Sequence, residues 1–387
     1  MSNRDAYKNK RETDMNWWDR PPFALSAMEK RMLRRAPWHD YRRPSKYMIT
    51  LMASPLLPPL STISGNPSVK DPGHPDYARA VPTRVGSFFA RALEEWRESR
   101  RWAIKVHEVV IMPDHVHLCI EVFRNLPTIL GGVLSSLTGR AGNYLRDYLR
   151  EFPAEYEHLR RGALEKLRRY SAESWQIASR EGSFIPVEDI RFFKKSFQDS
   201  ISMEDERWER QLAYVRDNPR RLLIKRLHGN LYRDRWWITI GDRVYEAVGN
   251  IFLLKHPEIV CVRYSSKFSA QEMEENRRRW RRCLDNDGVL VSPFIHPEEK
   301  GMMAEAEEAG GKIIKVCTKG FSERFAPSGA DFDRMAAHRL LLIGPADYSP
   351  GKETLRRNVA MELNKVAEIL ATHPEVARVK RKPATGR

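Results

Sequence analysis

The chain predicts two folded regions of different class: an antiparallel α+β domain over about residues 46–240 and an α/β domain with a parallel sheet over about residues 245–372. Three observations lead there. Two apolar runs, Trp102–Ile111 and His115–Val122, are joined by the turn-forming pair Pro113 and Asp114, which makes them an antiparallel hairpin. That hairpin lies between two stretches whose apolar residues recur at helical spacing, about Gly86–Arg100 and Thr128–Leu149, with strand-like runs at about Lys46–Ala53 and Arg191–Ser200 outside them. Strand, helix, hairpin, helix, strand is the split β-α-β order of a ferredoxin-like sheet. After about Gly241 strand and helix alternate regularly, as the long crossovers of a parallel sheet require.

Taken in order, residues 1–45 are polar and basic, with Trp17, Trp18 and Trp38 interspersed, and read as an N-terminal arm. The first strand is KYMITLMA (46–53), and the Pro-, Ser- and Gly-rich stretch from Ser54 to Pro82 reads as a long loop. In the following helix Phe89, Leu93 and Trp96 share one face, as core residues do. An insertion-like stretch at about 150–189 precedes the last strand, and a helix from about Met203 to Asp217 follows it. In the second region, strands at Ile259–Tyr264, Val289–Phe294, Lys312–Thr318 and Arg339–Gly344 alternate with helices at Ala270–Asn286, Glu298–Ala309 and Lys352–Ala371. Residues 373–387 form a basic tail, expected to be disordered over Arg378–Arg387.

Composition narrows the function classes. A formal net charge of +16, with 67 Lys and Arg against 51 Asp and Glu, favours phosphate-rich partners and salt-dependent binding. The four cysteines, at 119, 261, 283 and 317, form no Cys-x-x-Cys pair, which argues against a disulfide scaffold or a zinc ribbon. No apolar stretch approaches the roughly 18 residues of a membrane span, and the charged N-terminus has no signal-like apolar core. A cytoplasmic, nucleoid-associated protein without a membrane partner is the expectation.

The chemistry is concentrated in two segments. In MPDHVHL (112–118) His115 and His117 stand at i and i+2 of a strand, so both imidazoles project to one face about 7 Å apart along the chain. Val116, Leu118, Ile120 and Val122 take the opposite face and can pack a core. In AYVRDNP (213–219) Tyr214 and Asn218 stand one helical turn apart and share a face. Because Pro219 disfavours helical geometry in the residue before it, Asn218 is expected at the helix's last turn or cap. Alone, each segment equally suits a half-buried strand and a capped amphipathic helix.

Together and in this order, the two segments resemble the HUH-superfamily single-tyrosine transposases, and most closely the REP-associated tyrosine transposases. The resemblance covers about residues 40–235. It implies a ferredoxin-like HUH domain in which His115, His117 and Asn218 hold a divalent metal, Mg2+ or Mn2+, and Tyr214 attacks a DNA phosphate to give a 5′-phosphotyrosine. Such a site needs a metal because the phosphodiester's own charge repels nucleophiles, and neutral imidazole and amide donors leave the ion's charge intact. A phenol with a free pKa of about 10 needs a metal, a base or a cation beside it to act near pH 7. The implied activity is transposase-like cleavage and rejoining of single-stranded or hairpin DNA, and the class leaves a homodimer open. In the second region, GVLVSPFIHPEEKGMMAEAEEAGGKIIKV loosely resembles Rossmann-like modules of the DNA-processing family. The absence of a G-x-G-x-x-G there favours a structural or partner-binding domain over nucleotide binding.

Among several basic clusters, the one directly after Tyr214 supplies Arg220, Arg221, Lys225 and Arg226 as candidates for holding the DNA backbone. The Arg277–Arg282 run reads as a solvated face. Tyr144 and Tyr148 form a competing tyrosine pair without an Asn-Pro ending, and Asp217 is an alternative metal ligand. Two other readings stay open: a metal phosphodiesterase in which water attacks, and a transposase-derived DNA-binding regulator without catalysis.

Overall fold

A computed structural model describes residues 36, 39–170, 186–229, 232, 234–323, 325–346 and 357–382. The chain divides into two compact units, Met1–Leu223 and Ile224–Arg387, so the division falls inside the tyrosine helix, whereas the sequence pattern placed it near Gly241. Most of the expected arm over 1–45 (residues 1–35, 37 and 38), part of the insertion (171–185) and the end of the tail (383–387) lie outside the described residues.

The first unit is built on β1 (Ser45–Ala53), α1 (Arg84–Arg100), β4 (Ile104–Ile111), β5 (His115–Val122), α2 (Leu130–Glu151) and β6 (Phe193–Ser202), with a short ribbon of β2 (Ser61–Ser64) and β3 (Arg79–Pro82) in the stretch expected to be a loop. A helix α3 (Pro153–Tyr170) occupies much of the expected insertion. The sheet order is β4-β5-β1-β6 and every neighbouring pair is antiparallel. Alternation explains how these strands pack. Tyr47, Ile49 and Leu51 of β1 and Val116, Leu118 and Ile120 of β5 are buried on one face, in a cluster with Phe89, Leu93 and Trp96 of α1 and Leu134, Leu137 and Leu145 of α2. α1 is started by Thr83, whose side chain accepts from the Gly86 backbone N–H, and a Cβ at Gly86 would lie 1.9 Å from the Leu60 carbonyl oxygen, so only glycine admits that approach.

The opposite face carries α4 (Asp205–Leu227) and a smaller apolar cluster of Val110, Met112, Cys119, Trp208 and Val215. α4 does not end near Asp217 as expected but runs through Pro219 to Leu227. Proline deprives the Val215 carbonyl of its usual donor and crowds the preceding turn. The helix continues nonetheless, and Asn218, whose Nδ2 donates to the Tyr214 carbonyl at 3.2 Å, is interior rather than a cap.

In the second unit β7 (Arg235–Ile240), β8 (Arg243–Gly249), β9 (Ile259–Cys261), β10 (Val289–Ser292), β11 (Lys312–Val316), β12 (Leu340–Pro345) and β13 (Arg378–Arg381) form a sheet ordered β13-β7-β8-β12-β11-β10-β9. The strands β9 to β12 are parallel, and β10 is buried at all four positions, as a strand covered on both faces must be. Helices α5 (Ala270–Asp285), α6 (Pro297–Glu308) and α7 (Ala330–Ala336) contribute Trp280, Met302 and Phe332 to one cluster; α8 (Arg357–Thr372) contributes Leu363, Val366 and Leu370 to another. Among the described residues the parallel strands follow chain order without reversing. The hairpin β7–β8 was not foreseen, and part of the tail expected to be disordered is β13, paired with β7 through Val379 and Ile238. In the Arg277–Arg282 run, Arg277, Arg278 and Arg281 pair with Glu298, Glu274 and Glu305. No helix among the described residues is long and apolar enough to cross a membrane.

Candidate active site

The hairpin places His115 and His117 on the α4 face of β5, and the cross-strand register sets Thr50 of β1 opposite His117. Each imidazole is gripped from behind. Asp114 Oδ1 lies 2.7 Å from His115 Nδ1, and Thr50 Oγ1 lies 2.9 Å from His117 Nδ1. With both Nδ1 atoms engaged, the two Nε2 atoms face each other at 3.2 Å. The ring of Tyr214, projecting from α4, lies 5.7 Å from the His117 ring, centroid to centroid. The hairpin and a helix about a hundred residues later thus meet at one place. Tyr214 is 39% exposed, so its phenol is reachable by a macromolecule, whereas His117 is 6% exposed.

The electrostatics follow from that burial. Burial, reinforced by neighbouring His115 and partly offset by Asp114, pushes His117 down to about 3, so its imidazole is neutral at pH 7. The hydrogen bond to His115 holds the Asp114 carboxyl below its ordinary range. Cys119, next on the same strand face, is pushed up to about 12 by burial first and Glu108 second, which makes it a thiol in the floor of the site rather than a thiolate ligand.

The donor set fits a divalent cation. Two imidazole nitrogens sharing an ion at metal–nitrogen distances of about 2.1 Å lie about 3 Å apart in neighbouring positions, which matches the observed spacing. With each Nδ1 donating its proton to the oxygen beside it, the Nε2 lone pairs would be left for an ion, the arrangement in which outer partners fix the tautomer. Among the described residues no group of three or more His, Cys, Asp or Glu is placed to hold a metal. Asn218, the third donor that the resemblance implies, has its Nδ2 donating to the Tyr214 carbonyl, which leaves its Oδ1 outside that bond.

Not every candidate takes the place the sequence assigned. Asp217 is occupied by Arg220, at 2.5 and 3.0 Å, and by the Tyr77 hydroxyl at 3.2 Å, and so is committed away from the role of alternative ligand. Arg220 is buried in that pair, which makes it a brace of α4 and not an exposed contact for a DNA backbone. Arg221 is also buried; its guanidinium carbon lies 5.6 Å from the Tyr214 ring centroid, placing a cation beside the phenol. Lys225 and Arg226 are exposed and belong to the second unit. Arg216, between Tyr214 and Asn218, ties α4 to β4 through Glu108 at 2.7 Å. The competing tyrosines are structural: Tyr144 donates to Glu95 on α1, and Tyr148 accepts from Arg84. Sequence reasoning missed Thr50 and the role of Asp114; the signals were a lone hydroxyl in the apolar run YMITLMA and a carboxylate adjoining the first histidine.

The class defined by fold and site is an α+β protein with a two-histidine, one-tyrosine cluster on an antiparallel sheet. Compared with known proteins, the chain matches no protein-family model and no curated sequence.

Proposed function

We propose that this chain is a metal-dependent DNA strand transferase of the HUH single-tyrosine kind, which cleaves and rejoins single strands through a 5′-phosphotyrosine at Tyr214. The observation that carries the reading is the convergence of the His115 and His117 Nε2 atoms at 3.2 Å, with the Tyr214 ring 5.7 Å from the second imidazole. The sheet order β4-β5-β1-β6 supports it, because a ferredoxin-like βαββαβ chain puts its last strand beside its first and its first beside its third. The net charge of +16 is compatible with a polyanionic substrate.

His115, His117 and Asn218 would hold Mg2+ or Mn2+, which supplies electrophilic polarisation of the phosphodiester. The chain does the rest. Asp114 and Thr50 orient the imidazoles, and the Arg221 guanidinium lies beside the phenol. The Tyr214 oxygen forms a bond to phosphorus as the bond to the 3′ oxygen breaks, and the phenolic proton balances the departing 3′ hydroxyl. The phosphotyrosine conserves the energy of the broken ester, so the 3′ hydroxyl of another strand can reverse the step and join new DNA. The second unit is assigned a structural or partner-binding role.

A single-stranded oligonucleotide labelled at its 3′ end, incubated with Mn2+ and run on a denaturing gel, tests this. A retarded protein–DNA band is expected for the wild type and is absent in Tyr214→Phe. Cut product without such a band identifies a phosphodiesterase, and binding without cleavage, indifferent to metal and to Tyr214, identifies an inactive regulator.

A further inference from the structure

The α4 face of the sheet continues past the histidines. Thr50 pairs with His117 on one side and with Gln198 of β6 on the other, and directly paired residues point to the same face, so Gln198 shares the face of the site. Two strand spacings separate it from His117, about 10 Å. On β6, Phe193, Phe197 and Ile201 pack on the α1/α2 core while Ser200 and Ser202 are covered by α4, through Gln211 and Arg207. Gln198 lies just beyond that cover. It is half-buried, and its amide has no hydrogen-bond partner among the described residues, so both its donor and its acceptor are open to a ligand. Lys194, further along the same strand past an irregularity in the β1–β6 pairing, is exposed and makes no ion pair among the described residues. β6 is the edge of the sheet, so nothing in the sheet closes the path outward.

We infer that Gln198 reads one base of the single strand beside the scissile phosphate, and that Lys194 holds a backbone phosphate where the strand crosses β6. The inference rests on the strand-transfer reading for its substrate. A glutamine amide both donates and accepts, and paired donor and acceptor contacts distinguish bases, whereas a lysine contributes sequence-independent attraction.

The test is selection from a pool of single-stranded oligodeoxynucleotides randomised in sequence, bound by the full chain in EDTA and then sequenced. The wild type is expected to enrich one base at one position about 10-fold. Gln198→Ala removes that preference, and Gln198→Glu, which lacks the donor, moves it to another base. Lys194→Ala keeps the preference but lowers the slope of log affinity against log salt by about 0.7. Matching circular dichroism and melting curves show the variants to be folded. A wild type without base preference, or a preference unchanged in both Gln198 variants, overturns the inference. Because EDTA prevents metal-dependent cutting, the two readings fail separately. Base preference without any Tyr214 adduct refutes strand transfer alone, and adduct formation with an unaltered preference refutes Gln198 alone.

Discussion

On the face of the four-stranded sheet turned toward α1 and α2, Val116, Leu118 and Ile120 are enclosed among aromatic and aliphatic side chains; on the face turned toward α4, the intervening His115 and His117 share space with a half-exposed tyrosine and a small apolar cluster. The same eight residues of β5 serve both. Locking every second residue in a core removes freedom from the residues between, so reactive groups on a strand are held more rigidly than on a loop. The site is thereby fixed from below by packing and from beside by Asp114 and Thr50.

This contrast can be broken by comparing neighbours. Leu118→Ala should cost about 2–5 kcal/mol of unfolding free energy in urea, because it opens a cavity in the closed face. His117→Gln, one residue away, should cost less; equal losses would mean that the α4 face is packed as a core too.

Acid separates the faces next. His117 has its folded pKa depressed to about 3. The unfolded chain, with a histidine pKa of about 6.5, therefore binds the proton more readily, and stability that is full above pH 6.5 is lost as pH falls toward 3. The metal-free protein should lose about 2 kcal/mol by pH 5 from this group, and His117→Gln should flatten that part of the profile. An unchanged profile in the variant would show that the imidazole is solvated.

The outer partners give a smaller effect. Thr50→Val keeps the shape and removes the hydroxyl, and Mn2+ affinity by calorimetry should fall about 10- to 100-fold, with Thr50→Ser restoring most of it. Affinity indifferent to the hydroxyl would leave Thr50 a mere cross-strand neighbour. Smallest of all, Tyr144→Phe should lower the melting temperature slightly by releasing Glu95, which the Tyr144 hydroxyl, then Arg140, hold down to about 2, while adduct formation is unchanged. Loss of the adduct in Tyr144→Phe would make the competing tyrosine the nucleophile.

Much of this was legible in the sequence, for physical reasons that also explain the misses. Period-two alternation around His115 and His117 gave the strand and its faces, and the helical segment AYVRDNP gave Tyr214, whose ring lies beside His117. The continuation of α4 past Pro219 was hidden because a proline, with no N–H to give and a ring that crowds the preceding turn, reads as a helix end, whereas here the helix keeps its course through it. The burial of Arg220 and Arg221 was hidden because a run of cations reads as surface until a carboxylate such as Asp217 and an aromatic ring such as Tyr214 are seen beside it. β13 was missed since RVKR has almost no apolar residues, and its order comes from pairing with β7 rather than from burial.

The central claim is that both imidazoles and the Asn218 amide serve one cation beside Tyr214. Anomalous diffraction from crystals grown with Mn2+ tests it most directly: the account predicts a single strong peak in bonding distance of His115 Nε2, His117 Nε2 and Asn218 Oδ1, with Tyr214 alongside. A peak bound elsewhere, or none at the histidines under saturating Mn2+, would contradict it.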